Sequence, residues 1–458
     1  MNATHTTSSA SLTEPSRQTP VLGEYDVVVL GGGPAGMMAA TAAARAGCST
    51  LLVEGYGFLG GMGTAAGVTN FCGLHANVFG QIEQVVHGLA DELLARMDQL
   101  GGLNAPHALF GGKIAAQAYD NAAFKLAADE LVLSSGARIL FHAQAVGVVL
   151  TAPGRIDALL LETKSGRRAV RGRVFIDCSG DGDLAAQAGA PFEKGRSDSG
   201  GEDMMYPSTM FRIHGVDAVR AGDAWNHFGT WMAQAERDGH RFARKSPIIR
   251  PQKNPAEWRA NVTQLANADG SPVDGTDALQ LSAAEVEGRR QIAQFLQFLR
   301  GYAPGFEQAY LLEIAPQVGV RETRRVLGDY QLSEADVLGC ASFDDSIGVN
   351  GWIVEDHVAG NVQFRWPDIP HVRGFNHLPY RMLLPRGQDN LLVAGRCASM
   401  THGGQSAARV SGACFVMGQA AGTAAALALA ADGQPRHIAV GELQRRLADA
   451  GAYLGQDR

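Results

Sequence analysis

The run Tyr25-Asp26-Val27-Val28-Val29-Leu30 feeds directly into Gly31-Gly32-Gly33-Pro34-Ala35-Gly36, and a second run, Thr50-Leu51-Leu52-Val53, ends on Glu54. An apolar strand, a glycine turn, an alanine-rich helix, a second strand and an acid, in that order, form the fingerprint of a dinucleotide site. Gly31 permits the tight turn, Gly33 lets backbone approach a pyrophosphate, and Gly36 lets the helix pack on its strand. The helix opens with Pro34 and Ala35, so its free N–H groups and positive dipole end would face the phosphates. Glu54 is placed to accept hydrogen bonds from a ribose. Glycine is common in this chain, with 57 residues, so the context of the turn carries the reading rather than the glycines themselves. The motif by itself does not separate FAD from NAD.

The 458 residues suffice for two or three lobes and a large core. With 46% hydrophobic and 19% charged residues the chain is a folded globular protein. A net charge of −7 argues against nucleic acid as a partner. The six cysteines, Cys48, Cys72, Cys178, Cys340, Cys397 and Cys414, form no CxxC pair. They suggest neither a dithiol centre nor a zinc cluster, no metal site is expected, and free thiols fit a reducing cytoplasm. Residues 1–23 read as a disordered tail, not a signal peptide. The longest apolar stretch, 420–431, is too short to span a bilayer and reads as a buried helix.

Working outward, helical spacing is expected over 81–100 and 114–134, followed by a strand at 138–141. Strands at 145–150 and 156–163 should pair across a Pro-Gly turn. Arg173-Val174-Phe175-Ile176-Asp177 reads as a buried strand ending in Cys178-Ser179-Gly180-Asp181-Gly182-Asp183. From about 195 the chain changes character, with most of the tryptophans and many short polar stretches. A long helix is expected over 282–302. Asn390-Leu391-Leu392-Val393-Ala394-Gly395-Arg396 reads as one more buried strand, and a final helix should start at Ala407 or Val410 and run to 430. The expected organisation is therefore a tail over 1–23, the first part of a doubly wound domain over 24–190, an inserted lobe over 191–384, and the rest of the first domain over 385–458. A crevice is expected at the carboxyl ends of the strands, facing the insert.

Six further segments, in order, give the chain a family resemblance. They are Gly57-Phe58-Leu59-Gly60-Gly61-Met62, Gly180-Asp181-Gly182-Asp183, Gly319-Val320-Arg321-Glu322-Thr323-Arg324-Arg325, Asp389-Asn390-Leu391-Leu392-Val393-Ala394-Gly395-Arg396-Cys397, Thr401-His402, and Met417-Gly418-Gln419-Ala420-Ala421-Gly422. Together they resemble bacterial FAD-dependent oxidoreductases of the glutathione-reductase-like (GR2) flavoproteins. Fumarate reductase flavoproteins and the flavin subunit of heterodisulfide reductases lie beside that family. The resemblance implies an α/β, Rossmann-like FAD-binding domain of GR2 type with an inserted α+β substrate or cap domain. It also implies bound FAD and a redox reaction on a small organic molecule. FAD contacts are then expected at Gly31, Gly33, Pro34, Ala35, Gly36, Glu54, Gly60, Gly61, Met62, Val146, Gly180, Asp181, Gly395, Arg396, Ala407 and Ala408. The chain departs from the family at Gly55, where a basic or bulky residue is usual, and at Gly403-Gly404-Gln405, where an acid often follows the Thr-His pair. The second departure would alter the substrate wall.

Four residues are candidates for catalysis. His402, in a glycine-rich loop, could act as base or substrate-orienting donor, or be a satisfied structural histidine. Arg321 could contact a carboxylate or the flavin ring. His377 and Tyr380, beside Arg381, could face the substrate from the insert, or simply pack. Cys72 and His75 carry no tethering motif, so FAD is expected to be noncovalent. No second GxGxxG falls in a strand-turn-helix context, which argues against a nicotinamide domain and leaves dioxygen, a quinone or a protein carrier to reoxidise the flavin. The leading expectation is hydride transfer from an amine, alcohol or saturated ring to flavin N5. Reduction of an activated alkene, or a non-redox FAD- or NAD-binding role, are the alternatives. A homo-oligomer is compatible with all of these, and no membrane span is expected.

Overall fold

The computed structural model describes residues 11–196, 200 and 203–455. The part of the expected tail within 1–10 lies outside them. Strand β1 (Val21–Leu30) starts inside that tail, because Val21 pairs with Ala169. Helix α1 (Pro34–Arg45) follows the glycine turn, and β2 (Thr50–Val53) returns parallel to β1 with Val27 opposite Thr50. Strand β3 (Arg138–Leu140) lies parallel to β2 on its outer side. A meander of β4 (Gln144–Ala152), β5 (Arg155–Thr163) and β6 (Gly166–Asp177) follows, with antiparallel pairing that brings β6 back beside β1.

The insert then supplies β7 (Phe211–His214), β8 (Ile248–Pro251), β9 (Trp258–Asn261), helix α2 (Ala278–Tyr302) and β10 (Tyr310–Ile314). These four strands form their own antiparallel sheet in the order β8-β9-β7-β10. It is packed around Phe211, Ile213, Phe228, Trp258, Phe295, Phe298 and Phe306. That second core is narrower than the expected lobe. Val326, Leu332, Ile347, Val349, Leu378 and Met382 pack instead into the first core.

The chain returns as β11 (Leu391–Val393), parallel to the end of β6, with Phe175 opposite Leu391. The main sheet thus has seven strands, and β1, β2, β3, β6 and β11 run parallel. Helices α3 (His402–Ala408) and α4 (Ser411–Leu429) follow, and a last helix, Val440–Asp449, adds Leu443 and Leu447 to the first core. The single final helix expected from the sequence is broken because Val410 adopts an extended conformation and becomes the N-cap of α4. Helix α4 is long and apolar enough to cross a membrane, but 78% of its apolar window is buried in this fold. It packs on α1 without a side-chain layer between. A Cβ on Gly418 would meet the carbonyl oxygen of Ala35 at 2.0 Å, and one on Gly422 would meet that of Ala39 at 2.1 Å. A helix apolar on all sides belongs in a core, and here glycine lets it touch α1 backbone to backbone.

Two helical readings fail in part. Residues 81–84 form a strand before a shorter helix, Leu89–Gln99. Residues 114–118 form a strand, and the helix begins only at Asn121, where the Asp120 side chain accepts from the Ala123 N–H and caps it. In both places a short apolar run bounded by polar residues fits strand and helix equally well by periodicity.

Candidate functional site

The carboxyl ends of β1, β6 and β11 open into a cavity of about 690 Å³ that runs beneath the insert. At one end lies the glycine turn. Gly31 adopts φ +95°, and a Cβ there would lie 2.4 Å from the Cys178 carbonyl oxygen, so only glycine fits. Gly36 is packed the same way against the Gly31 oxygen and lies off the cavity. Gly33 differs. It lines the cavity in an extended conformation, and a Cβ would meet nothing closer than Gly61 Cα at 3.6 Å. The space a side chain would take is left for something other than protein. Helix α1 has Pro34 in its first turn and no side-chain cap on its N-terminus, and Pro34 and Ala35 line the cavity. Such an end presents unpaired N–H groups to an anion.

Glu54 is 7% exposed and lines the same space. Its Oε2 accepts from Gly32 N at 2.6 Å and its Oε1 from Tyr56 N at 2.9 Å. Burial raises its pKa, and the backbone donors partly offset that. Each oxygen retains a lone pair for a ligand hydroxyl. A Cβ on Gly55 would lie 2.5 Å from the amide end of the Gln144 side chain, and Gln144 itself lines the cavity. The uncrowded Gly33, the uncapped helix and the Glu54 carboxylate fit the diphosphate and ribose of a dinucleotide.

Gly61, Met62, Gly180, Asp181, Gly395 and Arg396 also line the cavity. Arg396 is committed to protein partners. Its Nε donates to Gly180 O at 3.0 Å, Nη2 meets Asp181 Oδ1 at 2.8 Å, and Nη1 donates to Val320 O. Thr323 Oγ1 also donates to Asp181 at 2.7 Å, so the arginine ties the ends of β6 and β11 to the 320–325 segment. Besides Gly36, four expected contacts lie elsewhere. Gly60 is held in the fold by its N–H donating to Gly32 O at 2.9 Å and does not line the cavity. Val146 is 41% exposed, because strand alternation turns it away while Ala145 faces the cavity. Ala407 and Ala408 are fully buried in α3, and Arg409, Val410 and Ser411 line the cavity in their place.

Of the four catalytic candidates, only Arg321 lines the cavity. His402 is 7% exposed and stands between two carboxylates, Nδ1 2.8 Å from Glu322 and Nε2 3.2 Å from Asp356. Burial opposes its charge, but Asp356 and Glu322 outweigh burial and raise its pKa to about 9. The two carboxylates thus favour its charged form, and it does not line the cavity. The Gly403-Gly404 pair is likewise no substrate wall. Cβ atoms there would strike Glu334 at 2.3 Å and Leu332 O at 2.0 Å, which shows how tightly α3 packs on that segment. Tyr380 donates its hydroxyl to Pro435 O at 2.8 Å, and His377 contacts Gly455 O at 3.1 Å; neither lines the cavity. Cys72 does line it, with burial pushing its thiol up to about 12, whereas His75 does not.

The cavity wall also holds residues that the sequence reading passed over. Glu355 and His357 are a hydrogen-bonded pair, with Oε1 3.1 Å from Nε2, and Trp352 Nε1 donates to the other Glu355 oxygen at 2.9 Å. Burial, then the Arg321 charge, lowers the His357 pKa well below its ordinary value. Burial works against ionisation of Glu355, but the hydrogen bond with His357 and the charge of that ring, then the Arg409 charge and the Trp352 donor, outweigh it, so its carboxyl stays well below the usual range. The cavity thus contains an imidazole whose charged form is disfavoured by burial, oriented by its hydrogen bond with a carboxylate. Arg244, Arg250, Arg259 and Arg409 line the wall as well. A signal for Arg259 existed in the sequence. In Trp258-Arg259-Ala260-Asn261 the apolar residues alternate with the polar ones, so Trp258 and Ala260 enter the second core while Arg259 and Asn261 face the cavity.

A family model described as FAD dependent oxidoreductase matches residues 26–447. No curated protein matches the chain. Among solved structures the chain is similar to a geranylgeranyl bacteriochlorophyll reductase-like protein from Thermoplasma acidophilum, at 13% identity over 94% of this chain and 84% of that one, with a TM-score of 0.47. It is also similar to p-nitrophenol 4-monooxygenase from Pseudomonas putida, at 12% identity over 93% of this chain and 84% of that one, with a TM-score of 0.44.

Proposed function

The chain belongs to the FAD-dependent oxidoreductase family, and from that premise we propose that it oxidises a small organic molecule held in the cavity beneath the insert. One observation carries the reading. The space that begins at Gly33 and Glu54 continues to the imidazole of His357, hydrogen-bonded to the Glu355 carboxylate. FAD, when bound, supplies a hydride acceptor. Gly31, Gly33, Pro34 and Ala35 would hold its diphosphate and Glu54 a ribose. The first turn of α4 lines the cavity and would favour negative charge on the cofactor.

Glu355 fixes the tautomer of His357 by accepting from Nε2–H, which leaves Nδ1 to receive the substrate proton. A histidine kept uncharged by burial suits a base better than an acid, so oxidation is placed before reduction of an activated alkene. The insert, as a cap, would exclude water from the cavity. A GR2-type arrangement is supported by an insert between β6 and β11, both ends of which meet the dinucleotide turn. Reoxidation would fall to dioxygen, a quinone or a protein carrier. The six free thiols are compatible with a reducing cytoplasm. The test is anaerobic: a panel of amines, alcohols and saturated rings mixed with the purified yellow protein. A substrate should bleach the flavin, and His357→Asn should slow the bleaching without loss of flavin. Equal rates in both proteins would remove His357 from the reading.

A further inference from the structure

The wall formed by β9, Ser208, residues 352–357 and Arg409 carries an uncompensated positive charge. Arg244, Arg250, Arg259, Arg321 and Arg409 line it, and the Glu355 carboxylate acts on all of them but Arg250. Glu322, the next acid near Arg409, is occupied by Arg325 and His402. Arg244 Nη1 and Arg321 Nη2 both reach Asn261 Oδ1, at 3.0 and 3.4 Å, so two guanidinium groups lie side by side on one amide oxygen. Across the sheet Arg250 stands opposite Arg259. Like charges placed opposite each other cost stability. Burial first, and then the neighbouring cations, lower the pKa values of Arg250 and Arg321.

The donors are also unfinished. Arg244 Nη2, Arg259 Nε and both Nε and Nη2 of Arg409 are buried without a hydrogen-bond partner. A buried charged donor left unpaired is expensive, and such groups mark a place where a partner binds. The contacts these arginines do make are to Ser246, Asn261 and Val68, with Arg321 on Tyr206 and Ser208. None of these contacts is on the glycine turn, where Gly31–Ala35 would hold the cofactor's diphosphate.

We propose that this wall is a carboxylate-binding subsite, and that the substrate is a small organic acid carrying at least two carboxylates. Planar forks with paired N–H groups match carboxylate oxygens two at a time. One carboxylate on the ligand, added to Glu355, would still leave three of the five cations without a counter-charge. Two or more bring the wall closer to balance. The inference rests on the cavity being the substrate site of the FAD-dependent reaction.

The test uses the flavin-loaded protein. Linear and aromatic dicarboxylates from malonate to phthalate are titrated in, with acetate, inorganic phosphate and the matching diamides as controls. Binding is read by perturbation of the flavin absorption and by melting temperature. At least one dicarboxylate should bind with Kd below about 1 mM, and its diamide should not. Arg409→Met and Arg244→Met should weaken that binding by about ten- to hundredfold. The same variants should raise the melting temperature of the ligand-free protein, because a like charge has been removed. That opposite pair of effects is one a merely structural arginine would not produce. The proposal is overturned if no dicarboxylate binds, if diamides, acetate or phosphate bind equally well, or if both variants bind as wild type. A protein that purifies without flavin fails the cofactor reading instead, and flavin content reports that separately.

Discussion

His357 Nε2 lies 3.1 Å from Glu355 Oε1, and both residues face the cavity that begins at the dinucleotide turn. In the proposed reaction this pair, rather than His402, supplies the base. Replacing His357 by Asn should keep FAD and lower the rate of flavin reduction roughly 100- to 10,000-fold, the usual contribution of a positioned acid or base. Glu355→Gln should slow it as well, since the tautomer is no longer fixed. Burial and Arg321 depress the His357 pKa, so the residue stays neutral as pH falls through the ordinary histidine range. The reduction rate measured by anaerobic stopped flow should therefore show no acid limb near that range. A limb there would contradict the assignment.

Gly33→Val should fold and lose flavin. The Gly33 backbone is extended, so valine meets no conformational penalty, and its Cβ meets protein only at 3.6 Å. The cost falls on the ligand that must approach the turn. Circular dichroism should match wild type while the ratio of flavin to protein drops towards zero. A folded variant with a full complement of FAD would refute the placement of the diphosphate.

Acid precipitation should release all flavin into the supernatant. Cys72 is the one thiol of the Cys72–His75 pair of tether candidates, and burial raises it to about 12, which keeps it protonated and a poor nucleophile. His75 is absent from the cavity wall. Fluorescence retained on the denatured chain would show a covalent bond.

His402 should matter for stability and little for chemistry. Its folded-state pKa of about 9 lies above the unfolded value, so its contribution is fully present below pH 6.5 and is lost as pH rises through about 9. The shift corresponds to roughly 3 kcal/mol. His402→Ala should lower the melting temperature at pH 6 far more than at pH 9.5, while the rate of flavin reduction in the folded fraction changes less than about tenfold. A stability loss independent of pH, or a large loss of rate with normal stability, would each count against this role.

Much of the dinucleotide half was legible because its requirements are local. Gly31, Gly33, Gly36 and Glu54 are fixed by one turn, one helix and two short strands, and a local pattern is written in consecutive residues. The parallel strands at 50–53 and 391–393 are legible for a similar reason, since short apolar runs bounded by glycine or polar residues are hard to mistake when buried on both faces. The misplacements were one-step errors of orientation. The sequence points to Val146 where its neighbour Ala145 faces the cavity, and to Ala407 and Ala408 where Arg409 to Ser411 do. Alternation along a strand and the break between two helices decide such choices, and neither shows in residue type.

The sequence by itself determined the cofactor class and the doubly wound core, because a glycine turn, a helix end and a ribose acid act through backbone geometry that neighbours in the chain impose. Only the tertiary structure decided what faces the reacting space. Arg244 and Arg259 come from the insert, Arg321 from the segment that follows it, Glu355 and His357 from a later strand and loop, and Arg409 from the link between two helices. Each is an unremarkable polar residue in its own stretch. They become a site because the fold removes them from water together, where charges that would be screened and solvated separately must instead find partners in one another or in a ligand.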